Sequence, residues 1–327
     1  MRRFSIIGAA HLDALAEGID EFSVHGGSHA AGRVRLGFGG DALNEAVVLS
    51  RLGGSVDLIS KVGDDSGGKM VLAYCRENGL DTAHVQREAG LVTSLNIVLI
   101  DSQGERNFIT DPQSSLRALC ADDVLPHLSG LAPTVCFASL FVFPKFDPKA
   151  LATLFSGIKA QGCVLCADMT RRKNGEKLAD LKNVWPYLDI LFANEEEAGL
   201  LSGRDDAAAS ARDFRQSGVK CMVVKTGKHG CFIDSDETTG AVPGCRCETC
   251  VDTTGAGDNF AAGFLFARAN GGTLVDCARF ANAVASLCVE HIGATAHSIC
   301  LADVIARCRA NYPGFDDACF RLQDKSI

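Results

Sequence analysis

At 327 residues the chain exceeds a minimal domain and fits one large α/β domain or two smaller ones. Hydrophobic residues make up 47% and charged residues 22%, which supports a large core and argues against disorder. A formal net charge of −8 argues against nucleic acid and anionic membranes as partners. It does not exclude a small, enclosed site for an anionic substrate.

The N-terminal run MRRFSIIGAAHLDAL is broken by His11 and Asp13, so it lacks the apolar core of a signal peptide. No stretch reaches the ~18 apolar residues of a membrane span. The expected compartment is the cytoplasm. Most of the 15 cysteines stand singly in apolar runs (Cys136, Cys163, Cys166, Cys221, Cys288), as small buried thiols do in a reducing compartment. Cys245, Cys247 and Cys250 form C-x-C-x-x-C. They are expected on a strand, where side chains alternate faces and cannot converge, so no functional metal site is expected there.

In chain order, Phe4 to Ala9 reads as a buried first strand. His11 and Asp13 follow it, at the end where open α/β sheets bind ligands. Val34 to Phe38 alternates as a half-exposed strand. Gly39-Gly40 leaves room for a ligand near the backbone, and Ala42 to Leu52 reads as a helix with Asp41 as its N-cap. Ser55 to Lys61 is a strand leading into G-D-D-S-G-G-K-M. Met70 stands where a phosphate-binding P-loop needs a hydroxyl, so a Walker site is rejected. Thr93–Asp101, the Ser102–Glu105 turn and Arg106–Ile109 read as a hairpin, which with Val34–Phe38 makes a small second sheet.

Strands and helices then alternate: Val135–Phe141, a helix from about Lys149 to Gln161, Cys163–Asp168, Ile190–Ala193, a helix around Ala207–Ser217, Cys221–Lys225 and Cys231–Ile233. This pattern predicts a mostly parallel sheet with helices on both faces. Asn194-Glu195-Glu196-Glu197 and the turn Lys225–Gly230 each follow such a strand. The stretch V-D-T-T-G-A-G-D-N-F-A-A-G, from Val251 to Gly263, predicts a turn at Gly255-Ala256-Gly257 opening a helix. Free amides at that helix start favour an anion. Asp258 in the first turn would repel a phosphate, and makes chemical sense as the base that takes a proton from an attacking hydroxyl.

The string D-T-T-G-A-G-D-N-F resembles the signature of the ribokinase (PfkB) family of carbohydrate and nucleoside kinases. The resemblance covers nearly the whole chain. It implies an α/β fold with a three-layer, doubly wound, mostly parallel sheet. It also implies one domain over 1–327, with a small β-sheet lid from segments at about 14–38 and 91–110. Asp258 would be the catalytic base, and Gly255, Ala256 and Gly257 the anion hole. Asp13, Gly39, Gly40, Asp41 and Asn44 would hold the sugar. Asp41 replaces the basic residue that ribokinases carry after G-G, a departure that points away from ribose. Gly63, Asp65 and Gly68 match a G-x-D-x-x-G turn. Asn194 and Glu197 match N-x-x-E, which orders Mg²⁺ partly through water beside ATP. Thr226, Gly227 and Gly230 fall in the turn under the nucleotide, and Asn282 at an adenine-pocket position. Asp252, the Thr254 carbonyl and the loop Cys288–His297 with Gly293 would cage a monovalent cation such as K⁺. His291 and His297 replace residues usual in that loop.

The implied activity is ATP-dependent phosphorylation of a hydroxyl on a small sugar or sugar acid. For the sugar-acid variant, Arg172 in D-M-T-R-R would pair with the carboxylate. The alternatives are a nucleoside kinase of the same family or a catalytically inactive sugar-binding relative. The lid would also serve as a homodimer interface.

Overall fold

The computed structural model describes residues 1–22, 25, 27–102 and 105–323. Residues 23–24, 26, 103–104 and 324–327, within the expected lid, hairpin turn and chain end, lie outside the described residues.

Among the described residues, nine strands form the large sheet: β1 (Arg3–Ile7), β4 (Ser55–Gly63), β5 (Val85–Glu88), β8 (Thr134–Leu140), β9 (Val164–Met169), β10 (Ile190–Asn194), β11 (Cys221–Lys225), β12 (Gly230–Ser235) and β13 (Thr239–Pro243), in the order β13-β12-β11-β10-β9-β8-β1-β4-β5. Pairing is parallel from β5 to β11 and antiparallel at β12 and β13. The strands are near-continuous apolar runs because both faces are covered. Adjacent residues of β1 show this: Ile6 belongs to the core on one face and Ile7 to the core on the other.

Helices α1 (Asp41–Arg51), α2 (Ser66–Glu77), α7 (Ala256–Ala269), α8 (Leu274–Cys288) and α9 (Leu301–Asn311) supply the first core. Helices α3 (Ala121–Val124), α4 (Pro148–Ala160), α5 (Glu195–Ser202) and α6 (Ala207–Gln216) supply the second. Every residue of α7 from Asn259 to Ala267 is buried, as an all-round apolar helix requires. It packs against α1 on one side and α8 on the other.

The second sheet has the order β3-β2-β6-β7, with β2 (His11–Glu17), β3 (Arg33–Gly39), β6 (Leu95–Ile100) and β7 (Arg106–Ile109). β2 and β6 are parallel and the outer pairs antiparallel. Register puts His11, Asp13, Asn96, Arg106 and Phe108 on the face turned to the large sheet. Val34, Leu95, Ile97 and Ile109 stand on the other face and are 42–70% exposed.

Four sequence expectations change. His11 and Asp13 sit on β2, a strand of the small sheet that the sequence reading did not mark. Its Leu12 and Leu15 alternate with alanines, which blurs the period. β5 (VQRE) is an edge strand too short and polar to stand out, and β13 (TGAVP) carries a glycine and ends on a proline. Asp41 does not cap α1. The cap is Gly40, and Asp41 is the first helical residue. Gly40 has φ 106°, and a Cβ there would fall 2.3 Å from the Ala9 carbonyl oxygen. Finally, Cys245, Cys247 and Cys250 lie on irregular chain after β13, not on a strand, so strand alternation does not govern them. Cys247 and Cys250 are exposed, and Cys245 packs on the core.

Candidate active site

Helix α7 opens at Gly255, whose φ of 71° is left-handed. A Cβ at Gly255 would lie 2.2 Å from that of Ala294, so both backbone and space select glycine. The Ala256 amide closes a turn on the Thr253 carbonyl at 3.2 Å, so it is engaged rather than free. The first bond into the helix runs from Asn259 N–H to the Gly255 carbonyl at 2.8 Å. Among the described residues, the Gly255 and Gly257 amides donate to no backbone acceptor. They leave a positive helix end, with Asp258 in its first turn.

Two cavities meet at this helix end. The larger, about 690 Å³, lies under the small sheet and is lined by His11, Asp13, Asn44 and Asn96 among others. The smaller, about 240 Å³, lies at the C-terminal ends of β9, β10 and β11. Asp41, Thr170 and Asp258 line both. Asn44 Nδ2 donates to Asp258 Oδ2 at 2.7 Å. Burial pushes the Asp258 carboxyl up to about 6, against this hydrogen bond and with help from the Asp168 charge. Asp41 is pushed well above the usual range by burial and by Asp258.

In the larger cavity Asp13 accepts from Asn96 Nδ2 at 3.1 Å and pairs with His11 Nε2 at 3.3 Å. Burial alone would raise Asp13, but these partners and Arg106 hold it below the ordinary carboxylate value. Aromatic walls come from Phe108 and from Phe38, which stacks on Tyr74 at 4.0 Å between centroids.

In the smaller cavity parallel pairing sets Asp168 beside Phe192 and Asn194 beside Lys225. Lys225 Nζ donates to both oxygens of Asp168 at 2.7 and 2.8 Å. Asn194 and Glu197 cap α5 reciprocally: Glu197 N–H donates to Asn194 Oδ1, and Asn194 N–H to Glu197 Oε2, both at 2.8 Å. Burial raises Glu197 to about 7, although Lys225 offsets part of the effect. Asp168, Glu197 and Asp258 thus gather around the Lys225 ammonium, while Lys173 also acts on Asp41 and Glu197. Among the described residues no three His, Cys, Asp or Glu side chains could hold a metal by themselves. Magnesium at Glu197 would therefore rely on water and nucleotide oxygens as well.

The structure gathers most of the expected residues. Asp13, Gly39, Gly40, Asp41, Asn44, Thr254, Gly255, Asp258 and Gly293 line the larger cavity, and Asn194, Glu197, Gly227 and Gly257 the smaller. Arg172, Asn282, Gly230 and Thr226 lie elsewhere. Arg172 donates to the Glu176 carbonyl at 2.7 Å and does not line the cavity, whereas its neighbour Lys173 does. Asn282 donates to the Pro243 carbonyl at 3.1 Å, outside both cavities. A Cβ at Gly230 would fall 2.1 Å from the Val242 carbonyl oxygen, which makes this glycine a packing requirement. Thr226, beside Lys225, lines neither cavity.

Sequence reasoning missed Asp168, Lys225, Asn96, Arg106 and Lys173 as site residues. Asp168 and Lys225 carried a usable signal, being polar residues at the ends of apolar parallel strands. Glu45 had none. It is fully buried on α1, with the buried Cys136 thiol beside its carboxyl. Burial and the nearby Asp168 and Asp258 hold it well above the usual carboxyl range.

Comparisons with known proteins place the chain by family and fold. Residues 1–299 match the pfkB family carbohydrate kinase model. The chain is 30% identical to probable fructokinase-7 of Arabidopsis thaliana over 272 residues, covering 78% of this chain and 79% of that protein. It is 25% identical to the ribokinase of Haemophilus influenzae over 308 residues, covering 90% of this chain and 94% of that protein. An Arabidopsis thaliana ribokinase solved with ribose and ATP superposes with a TM-score of 0.82 at 24% identity, covering 94% of this chain and 99% of that one. With the family motifs at the junction of two cavities and the family match spanning most of its length, the chain belongs to the pfkB family of carbohydrate kinases.

Proposed function

We propose that this sugar kinase transfers the γ-phosphoryl group of ATP to a hydroxyl of a small sugar or sugar acid. The observation that carries the reading is Asp258, which faces both cavities at the open end of α7. ATP binds in the smaller cavity and the acceptor in the larger. Asp258 takes the proton from the attacking hydroxyl. The Gly255 and Gly257 amides and the helix dipole stabilise charge on the transferring group. Magnesium, held at Glu197 behind the Asn194 cap, would neutralise triphosphate charge.

Asp13, Asn96 and Asn44 offer acceptors and donors suited to sugar hydroxyls, which supports a sugar as the acceptor. Lys173 and Arg117 at the cavity wall support the sugar-acid variant in place of Arg172. A second reading, a nucleoside kinase, is favoured by the Phe38–Tyr74 stack and by Phe108, on which a base could lie. An ATP-consumption screen of the purified protein over sugars, sugar acids and nucleosides separates these readings. Turnover on sugars or sugar acids is expected. Turnover confined to nucleosides selects the second reading, and none on any acceptor overturns both.

The apolar outer face of the small sheet supports a homodimer built through it. Ile97→Glu should then give a monomer in sedimentation, and wild-type protein that is already monomeric would refute the dimer. The free cysteines support a reducing compartment, which we take to be the cytoplasm. Among the described residues no helix is long and apolar enough to cross a membrane.

A further inference from the structure

Arg106 projects from β7, on the inward face of the small sheet. Its Nη2 donates to Oδ1 of Asp252 at 2.6 Å, with the two side chains 17% and 8% exposed. Asp252 stands just before the Gly255 turn. Its Oδ1 also accepts from the Thr254 amide at 2.9 Å and the Thr254 hydroxyl at 2.7 Å, and its Oδ2 from the Gly293 amide at 2.7 Å. Three of these four donors converge on Oδ1 and one on Oδ2. One carboxylate therefore ties together the small sheet, the turn that opens α7, and the loop carrying Gly293 and Ala294. Ala294 is the residue pressed against Gly255.

The family resemblance implies a monovalent cation at Asp252, Thr254 and Gly293. The structure does bring these three together, but they do not fit a metal. Oδ1 of the carboxylate is crowded by three N–H and O–H donors, and Oδ2 is held by the Gly293 amide. The Thr254 carbonyl accepts from the Cys288 thiol at 3.5 Å. The positive charge on Asp252 is a guanidinium.

We infer that Arg106 is a positioning residue for phosphoryl transfer. Its guanidinium is the built-in cation that neutralises Asp252 beside the anion hole, and it latches the small sheet over the acceptor cavity, so this chain needs no monovalent metal there. The inference rests on the kinase reading above. Without Arg106, Asp252 is a buried, uncompensated charge close to where phosphoryl charge develops, and like charges raise that barrier. The latch comes from the same sheet as Asp13 and Asn96. Closure of the sheet over an acceptor and neutralisation of Asp252 are thereby one event.

The test compares thermal unfolding of the full chain, as wild type, Arg106→Met and Arg106→Lys, in potassium chloride and in choline chloride of equal ionic strength. The wild-type midpoint should be the same in both salts. Arg106→Met should unfold earlier in choline and gain stability specifically in potassium, which binds the vacated carboxylate. Arg106→Lys keeps a positive charge and should behave as wild type. It also keeps the test decisive if the Met variant does not fold. On the acceptor that wild type phosphorylates best, Arg106→Met in choline should lose about 10-fold or more in kcat, the range for losing a hydrogen bond to a charged group. The KM for ATP should change little, and potassium should restore part of kcat. A wild-type midpoint raised by potassium over choline would overturn the inference. So would an Arg106→Met protein with wild-type midpoint and kcat in choline. Absence of transfer by wild type to every acceptor would overturn the kinase reading instead, and the unfolding comparison would still decide the latch.

Discussion

The side-chain amide of Asn44, on α1, donates to Oδ2 of Asp258, on α7, at 2.7 Å across 214 residues of sequence. A hydrogen bond to the charged form favours that form. Asn44 thus works against the burial that raises Asp258 to about 6. The carboxylate is the active form of a base, so kcat/KM should fall as pH drops through an apparent pKa of about 6. Removing the hydrogen bond in Asn44→Ala should move that acidic limb to higher pH. A limb that stays in place or moves down in the pH–rate profile would contradict the role given to Asn44.

The buried acids also set how stability depends on pH. Glu197 titrates near its ordinary 4.5 when unfolded and at about 7 when folded. Between those values the folded chain binds more protons than the unfolded one, so stability falls as pH rises. Asp41, Glu45, Asp168 and Asp258 are raised too and act with the same sign. His297 and Lys173, both lowered chiefly by burial, act the other way. Without nucleotide, the thermal midpoint should be higher at about pH 6 than at about pH 8. A midpoint that climbs with pH across this window would refute the acid cluster.

Lys225 carries the counter-charge for that cluster. Burial alone would lower its pKa, but Asp168 and Glu197 more than offset this, and it stands above the ordinary lysine value. Lys225→Met leaves Asp168, only 3% exposed, without its partner. The expected cost in denaturant unfolding is about 3–5 kcal/mol at neutral pH. It should be smaller in acid, where Asp168 takes up a proton. A loss under about 1 kcal/mol at neutral pH would mean that the pair does not hold the three strand ends together.

The large sheet was legible in the sequence because buried parallel strands are long apolar runs with polar residues at their ends. Asp258, Glu197 and Asn44 were legible because their motifs are local. β2 was not, since its alanines hide the alternation that its pairing with β3 and β6 imposes. Arg172 stands out in D-M-T-R-R only by its place in a motif. The Glu176 carbonyl, four residues on, captures Arg172 and leaves Lys173 at the cavity. The Arg106–Asp252 pair joins residues 146 apart, and no spacing rule reaches that far.

The most direct test of the account is the turnover of Asp258→Asn, measured alongside ATP binding by titration. Asn keeps the size and polarity of Asp and removes the charge that accepts the proton. Turnover on the best acceptor should fall by roughly 10²-fold or more, the general-base range. ATP affinity should hold or tighten, because a negative charge beside the γ-phosphate is gone. The variant should fold, because it removes an acid whose charged form burial disfavours. A folded Asp258→Asn protein with near wild-type turnover would contradict the account.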